Sequence, residues 1–200
     1  MCGIAGAVNF DNKLTSENTS FVKSMSNCML HRGPDAGGFF SDSNVALAHR
    51  RLSIIDLDES SNQPMQSSDD QVIIVFNGEI YNHEDLRKKL EDKHIFKTKN
   101  SDTEVIINAY KEWGIKCLDK FVGMFAFAIY DVKNEKVFLI RDRLGKKPLY
   151  YTVKNNTLYF SSENQAFFDA KLQEKAFNDE SIYHYLTYLT TPAPDTFYKD

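Results

Sequence analysis

Two hundred residues, 42% of them hydrophobic and 26% charged, are enough for one globular domain with a real core, or for one domain with an appended piece. A formal net charge of -4 argues against nucleic acid or an anionic membrane surface as partner. Apolar runs fall short of the roughly 18 residues of a membrane span, and Asn9, Asp11 and Lys13 break up the start before a signal-peptide core develops, so a cytoplasmic protein is expected.

In chain order, residues 4–10 and 45–50 read as short strands, and residues 17–30 between them carry Phe21, Val22, Met25 and Met29 at helical spacing. Residues 72–76 form a continuous apolar run ended by Asn77-Gly78, the dipeptide of a tight hairpin turn. A helix opening at Asn82 runs through Leu86 and Leu90. Another opens at Ser101, in a Ser-Asp-Thr-Glu capping-box pattern, and runs through Val105, Ile106, Ala109 and Tyr110. Residues 121–131, 137–140, 149–153 and 158–161 read as strands, with Asn134 and Asn155-Asn156 at hairpin turns. Helix and strand do not alternate in the rhythm of a parallel doubly wound fold. Residues 178–200 read as a helix-like piece followed by a connector at Thr191-Pro192-Ala193-Pro194.

Cys2, directly behind Met1, is the most informative residue. Removal of one methionine puts a thiol nucleophile and a free α-amine on the same residue, and an α-amine titrates near roughly 7.7–8.0. It can act as a base at neutral pH, so the nucleophile and its activating base are supplied together. A lone cysteine is more often a small buried apolar residue. Cys2, Cys28 and Cys117 cannot all pair, and none has zinc-site spacing, so reduced thiols and no metal are expected.

Five further clusters stand out: His31-Arg32-Gly33-Pro34-Asp35, residues 49–56 from His49 through Arg50, Arg51 and Leu52, residues 77–82 from Asn77-Gly78-Glu79, Ser101-Asp102-Thr103-Glu104, and residues 141–151. Each alone has a structural explanation as a turn, a helix cap or a solvated charged face. In combination and in this order, with the cysteine at the second position, they resemble the glutaminase domain of glutamine-hydrolysing asparagine synthetases. These are class II, N-terminal-nucleophile amidotransferases. The resemblance runs from Met1 to about Phe167.

The resemblance implies an α+β fold, a four-layer αββα sandwich with two antiparallel sheets between helical layers, and hydrolysis of L-glutamine to glutamate and ammonia. It implies Cys2, Asn77 and Gly78 as catalytic residues: the cysteine attacks the side-chain amide to form a thioester, while the Asn77 amide and the Gly78 N–H face the oxyanion. Arg51 is implied as the clamp for the substrate α-carboxylate and Asp102 as the anion for its ammonium. Glu79, Leu52 and Ile55 complete the pocket. Adjacent strand residues point to opposite faces, so Arg51 rather than Arg50 looks into such a site. His31 to Asp35 are expected to wall or support the pocket, with no catalytic role.

The domain division expected is a glutaminase domain over residues 1–176, and over 177–200 a helix and connector leading toward a closing hairpin and an ATP-dependent synthetase domain absent from these residues. No cofactor is expected for the glutaminase step. ATP and Mg belong to the synthetase domain, and Lys146-Lys147 lack the full phosphate-loop pattern. The implied partners are L-glutamine and a synthetase domain in cis or in trans, with no nucleic acid or membrane and a homodimer possible. Asn164-Gln165 depart from the apolar residue and lysine usual there. A catalytically silent scaffold or regulatory domain of the same fold is the alternative, and it has no need of the full set of pocket groups.

Overall fold

The computed structural model describes residues 1–11, 13–54 and 57–199. The first expected strand is β1 (Gly3–Asn9), and its almost unbroken burial follows from its place in the middle of a sheet. The next elements are α1 (Ser16–Cys28), β2 (Ala36–Ser41), β3 (Val45–Arg51), β4 (Met65–Gln66) and β5 (Val72–Ile80). They are followed by α2 (His83–Leu90), α3 (Asp102–Trp113), β6 (Gly123–Asp131) and β7 (Lys136–Arg141). The chain closes with β8 (Tyr150–Lys154), β9 (Thr157–Ser161), α4 (Gln165–Asp169) and α5 (Asp179–Tyr188). Short 3-10 turns cover Glu59–Ser61 and Gly114–Lys120.

The strands form two sheets, one ordered β2-β3-β1-β9-β8 and the other β4-β5-β6-β7, with antiparallel pairing throughout the described ladders. Three apolar layers stack them. Ile4, Val45, Leu47 and Phe160 of the first sheet meet Ile73, Val75, Ala126, Ala128 and Tyr130 of the second. The outer face of the first sheet, lined by Ala5, Ala7, Ala46 and Ala48, takes Val22, Met25 and Met29 of α1 and Ala166 and Phe167 of α4. The outer face of the second, lined by Ile74, Phe76, Phe125 and Phe127, takes Leu86 and Leu90 of α2 and Val105 and Ile106 of α3. This is the expected αββα sandwich. Ile4 is fully buried in the central layer, and its truncation to alanine is worth about 2–5 kcal/mol.

Strand parity explains the layers. Along β1 odd residues face α1 and even residues face the second sheet, and one side chain per layer follows from the period of two. The hairpin at Asn155-Asn156 forms as expected, with both residues at positive φ (49° and 56°), the pair of angles a two-residue type I′ turn requires.

Two local expectations give way, and one strand is added. Asn77-Gly78 is no turn: both residues lie inside β5, paired with Ala126 and Phe125. Glycine serves there because a Cβ would lie 2.2 Å from the Met124 carbonyl oxygen, so its role is close strand approach rather than reversal. Ser101 makes no side-chain cap bond, and the Glu104 carboxylate instead accepts the Lys97 N–H at 2.7 Å and the Thr98 N–H at 2.8 Å. A capping box does form at Thr15 and Asn18. β2 is an added element. Its Ala-Gly-Gly start shows no apolar alternation, and the strand is held by pairing with β3.

In the C-terminal segment α5 forms, and the chain after it folds back, with Phe177 bridged to Tyr198 and their rings stacked at 5.5 Å. Among the described residues, no helix is long and apolar enough to cross a membrane.

Candidate active site

The face of each sheet that meets the other carries, at one end, Cys2 beside β1, His49 and Arg51 of β3, and Asn77 and Glu79 of β5. These positions share parity with Ile4, Leu47 and Val75 of the central layer. All of these but His49, together with Leu52, Gly78 and Asp102, line one cavity of about 180 Å³, whose wall also includes Met1, Ser61, Gln63, Thr103 and Lys147. That is smaller than the roughly 300–1,000 Å³ of a drug-sized site and suits a single small metabolite.

The Cys2 sulfur accepts the Leu52 N–H at 3.4 Å and lies 3.7 Å from the Leu52 carbonyl oxygen, to which its S–H is directed. The Cys2 carbonyl accepts Arg32 Nε at 3.0 Å. Glu163 in turn accepts Arg32 Nη1 at 2.9 Å and sits 2.9 Å from His31 Nε2, which holds its carboxyl below the usual range against the opposing effect of burial. Asp35 accepts the Ser53 N–H at 2.7 Å. The 31–35 run thus braces both the nucleophile's residue and the strand end carrying Arg51.

Arg51 is buried and held by its own following loop, with Nη1 donating to the Asp58 carbonyl at 2.9 Å and to Asn62 Oδ1 at 2.8 Å. Arg50 points the other way, donating to the Ser26 carbonyl at 3.2 Å and to the Asn27 side chain at the end of α1. Ile55 lies outside the described residues.

Asn77 is 1% exposed, and its Nδ2 has no hydrogen-bond partner among the described residues. A buried donor left unpaired is destabilising by about 1–3 kcal/mol, so its persistence at the cavity wall marks a place where a ligand acceptor fits. The backbone immediately before it is fixed. Gln63 Oε1 accepts the Phe76 N–H at 2.6 Å, Gln63 Nε2 reaches Thr103 Oγ1 at 3.2 Å, and His49 Nε2 donates to the Phe76 carbonyl at 3.1 Å. Burial drives the His49 pKa down to about 3, so the ring is neutral with Nε2 protonated.

Asp102, the first residue of α3, accepts the Ile80 N–H at 3.1 Å. Burial pushes its carboxyl up to about 6, opposed by that bond and by His83. It forms no ion pair among the described residues. An incoming cation would satisfy it.

Lys147, Gln63 and Ser61 are the contributors that motif reading missed, whereas Arg32 lies in the 31–35 run expected to wall or support the pocket. Lys147 is buried, with Nζ 3.0 Å from the Met1 sulfur. Burial lowers its pKa and Arg32 adds to the effect, while Cys2 and Glu79 oppose it. Its sequence context, a glycine followed by two lysines, is that of a solvated loop. The Asp142 carboxylate gathers the N–H groups of Leu144, Lys146 and Lys147 and folds this loop inward.

A family model described as a glutamine amidotransferase domain matches residues 1–200. Glutamine-hydrolyzing asparagine synthetase 1 of Bacillus subtilis (strain 168) is 38% identical over 197 residues, which are 98% of this chain and 31% of that protein. Glutamine-hydrolyzing asparagine synthetase B of Escherichia coli (strain K12) is 41% identical over 168 residues, 83% of this chain and 30% of that protein. The chain therefore spans less than a third of the length of these relatives. Among solved structures, the glutamine phosphoribosylpyrophosphate amidotransferase from Bacillus subtilis, complexed with ADP and GMP, superposes with a TM-score of 0.69 at 22% identity. It covers 85% of this chain and 44% of that one. That likeness shows the shared fold, two antiparallel sheets packed between helices.

Proposed function

The chain belongs to the glutamine amidotransferase domain family, and from that premise we propose that it hydrolyses free L-glutamine to glutamate and ammonia. The observation that carries the reading is one small cavity walled by Cys2, Arg51, Asn77, Gly78, Glu79 and Asp102, contributed by three strand ends and the start of a helix.

Loss of Met1 frees the Cys2 α-amine. The amine takes the thiol proton as sulfur adds to the substrate's side-chain carbonyl carbon, giving a tetrahedral oxyanion that faces the Asn77 amide and the Gly78 N–H. Collapse breaks the C–N bond. The amine's proton goes to the leaving nitrogen, ammonia departs, and a γ-glutamyl thioester remains on Cys2. Water, deprotonated by the same amine, adds to the thioester and releases glutamate and the thiol. A base of this kind contributes about 10²- to 10⁴-fold in rate. Arg51 takes the α-carboxylate in a planar charge-assisted contact, and Asp102 with Glu79 takes the α-ammonium. A peptide-bound glutamine lacks both charges.

The ammonia is proposed to serve an asparagine-synthetase-type amidation by a synthetase domain, in cis or in trans, where ATP and Mg belong. In this division residues 1–176 form the glutaminase domain, and residues 177–200 form the helix and connector toward the synthetase. In the silent-scaffold reading Met1 is retained and blocks the amine, which removes the base. Intact mass and ammonia release decide between them. The expected outcome is loss of one methionine and stoichiometric glutamate and ammonia from glutamine, abolished by Cys2→Ser. A processed, folded chain that releases no ammonia overturns the enzyme reading.

A further inference from the structure

The cavity holds a second unpaired polar atom that the proposed chemistry does not use. Ser61 ends the 3-10 turn Glu59–Ser61, is 5% exposed and lines the cavity, and its Oγ has no hydrogen-bond partner among the described residues. The turn is held by Asp58, whose carbonyl accepts the Ser61 N–H at 3.1 Å. That carbonyl also accepts Arg51 Nη1, and Asn62, immediately after Ser61, offers the same guanidinium nitrogen its Oδ1. The hydroxyl is therefore carried on a loop clamped at both ends to Arg51.

We propose that Ser61 is a specificity-determining residue whose hydroxyl donates a hydrogen bond to the α-carboxylate of the bound amino acid, beside Arg51. This rests on the glutaminase reading and extends it by one binding group. A hydroxyl both buried and unpaired is unfavourable in the empty site. The ligand group nearest an arginine is an anion, and a hydroxyl donates to an anion more strongly than to a neutral acceptor. The anion end of the substrate is thereby met by a fork from one side and a neutral donor from the other. Asp102, on a different element, remains free for the cation end.

The test is calorimetric binding to the Cys2→Ser protein, which removes turnover, with and without Ser61→Ala. A hydrogen bond to a charged group is worth roughly 1.5–3 kcal/mol, so the variant should bind L-glutamine about ten- to a hundredfold more weakly. With L-glutaminamide, in which a neutral amide replaces the carboxylate, the two proteins should bind within about threefold of each other. Thermal unfolding without ligand should not fall in Ser61→Ala, since no protein contact is lost. Unchanged glutamine affinity overturns the proposal while leaving the glutaminase reading intact. So does an equal loss for both ligands, which would put the hydroxyl elsewhere on the substrate. Absence of glutamine binding to the Cys2→Ser protein, together with no ammonia release by the parent chain, overturns both.

Discussion

Asp102→Asn removes the charge of this buried group but keeps an oxygen for the Ile80 N–H. Burial raises the Asp102 carboxyl from 3.8 to about 6, and such a shift corresponds to about 3 kcal/mol held against the ionised form. The folded chain binds this proton more tightly than the unfolded chain does. The stabilisation is therefore complete below about 3.8 and lost as pH rises through about 6. Near pH 8 the empty site contains a buried carboxylate without an ion-pair partner among the described residues. The asparagine variant should accordingly unfold several degrees higher than the parent, since 1 kcal/mol is worth about 2–4 °C at this size. Its glutamine affinity should move the other way, down about 10²- to 10⁴-fold, the effect of removing one partner of a buried pair. Binding to the Cys2→Ser protein is the assay, because the α-amine titrates near roughly 7.7–8.0 and imposes its own pH limb on turnover. In that background, affinity should fall about tenfold per pH unit below about 6, and the Asp102→Asn protein should lose this limb. An acid limb that survives the substitution, or a ligand-free variant that melts lower near pH 8, refutes the assignment of Asp102 to the ammonium.

Asn77→Ala should lower kcat about 10²- to 10³-fold with KM changed far less, as loss of one oxyanion donor does; an effect confined to KM in steady-state rates would move Asn77 out of that role. Arg51→Ala should raise KM for glutamine strongly, whereas Arg50→Ala should lower the melting temperature by loosening α1 and leave KM in place, and the reverse pattern would exchange the two arginines. The lowered pKa of His49 makes its contribution complete above about 6.5 and lost as pH falls toward about 3. The urea midpoint of the parent should then drop between about pH 7 and pH 5 more steeply than that of His49→Gln, which keeps a donor for the Phe76 carbonyl. Gly78→Ala would set a Cβ 2.2 Å from the Met124 oxygen, so the β5–β6 pairing should weaken and the melting temperature fall along with activity. An unshifted midpoint contradicts the close-approach argument.

The long elements were legible because each carries its own periodicity. The even and odd residues of β1 and β3 sort onto two faces, and the same rule separates Arg51 from Arg50 as the coordinates do. Legibility ends where the deciding contact is remote. Asn77-Gly78 has the composition of a turn, yet the pairing of β5 with β6 continues through it and a carbonyl some 46 residues away fixes the glycine. The 31–35 run was legible as a pocket support, but the particular bond from Arg32 to the Cys2 carbonyl was not. Ser61 and Lys147 carry no local signal, since a serine and a lysine in polar stretches are ordinary surface residues. Their burial is set by the 57–64 and 142–147 loops at the sheet ends.

Six described residues have a buried side-chain atom without a partner among the described residues; those of Arg87 on α2 and Asn108 on α3 lie away from the cavity, and the other four lie on it or beside it. Of the buried side-chain atoms without a partner among the described residues, those of Ser61 and Asn77 lie on the cavity wall, that of His49 lies behind it, and that of Arg32 belongs to the side chain bonded to Cys2. Asp102 adds a carboxylate whose ionised form the empty site disfavours. Each such defect is worth about 1–3 kcal/mol, and the three packed apolar layers of the sandwich offset them. A site built this way is held open by the rigidity of the sheets rather than by its own contacts, because the neighbouring backbone at Phe76 is pinned by both Gln63 and His49. Relaxation that would let Asn77 find a protein acceptor requires breaking those bonds. The donors therefore stay directed into the cavity before substrate arrives, and the reorganisation that a looser pocket would require at each turnover is already complete in the folded chain.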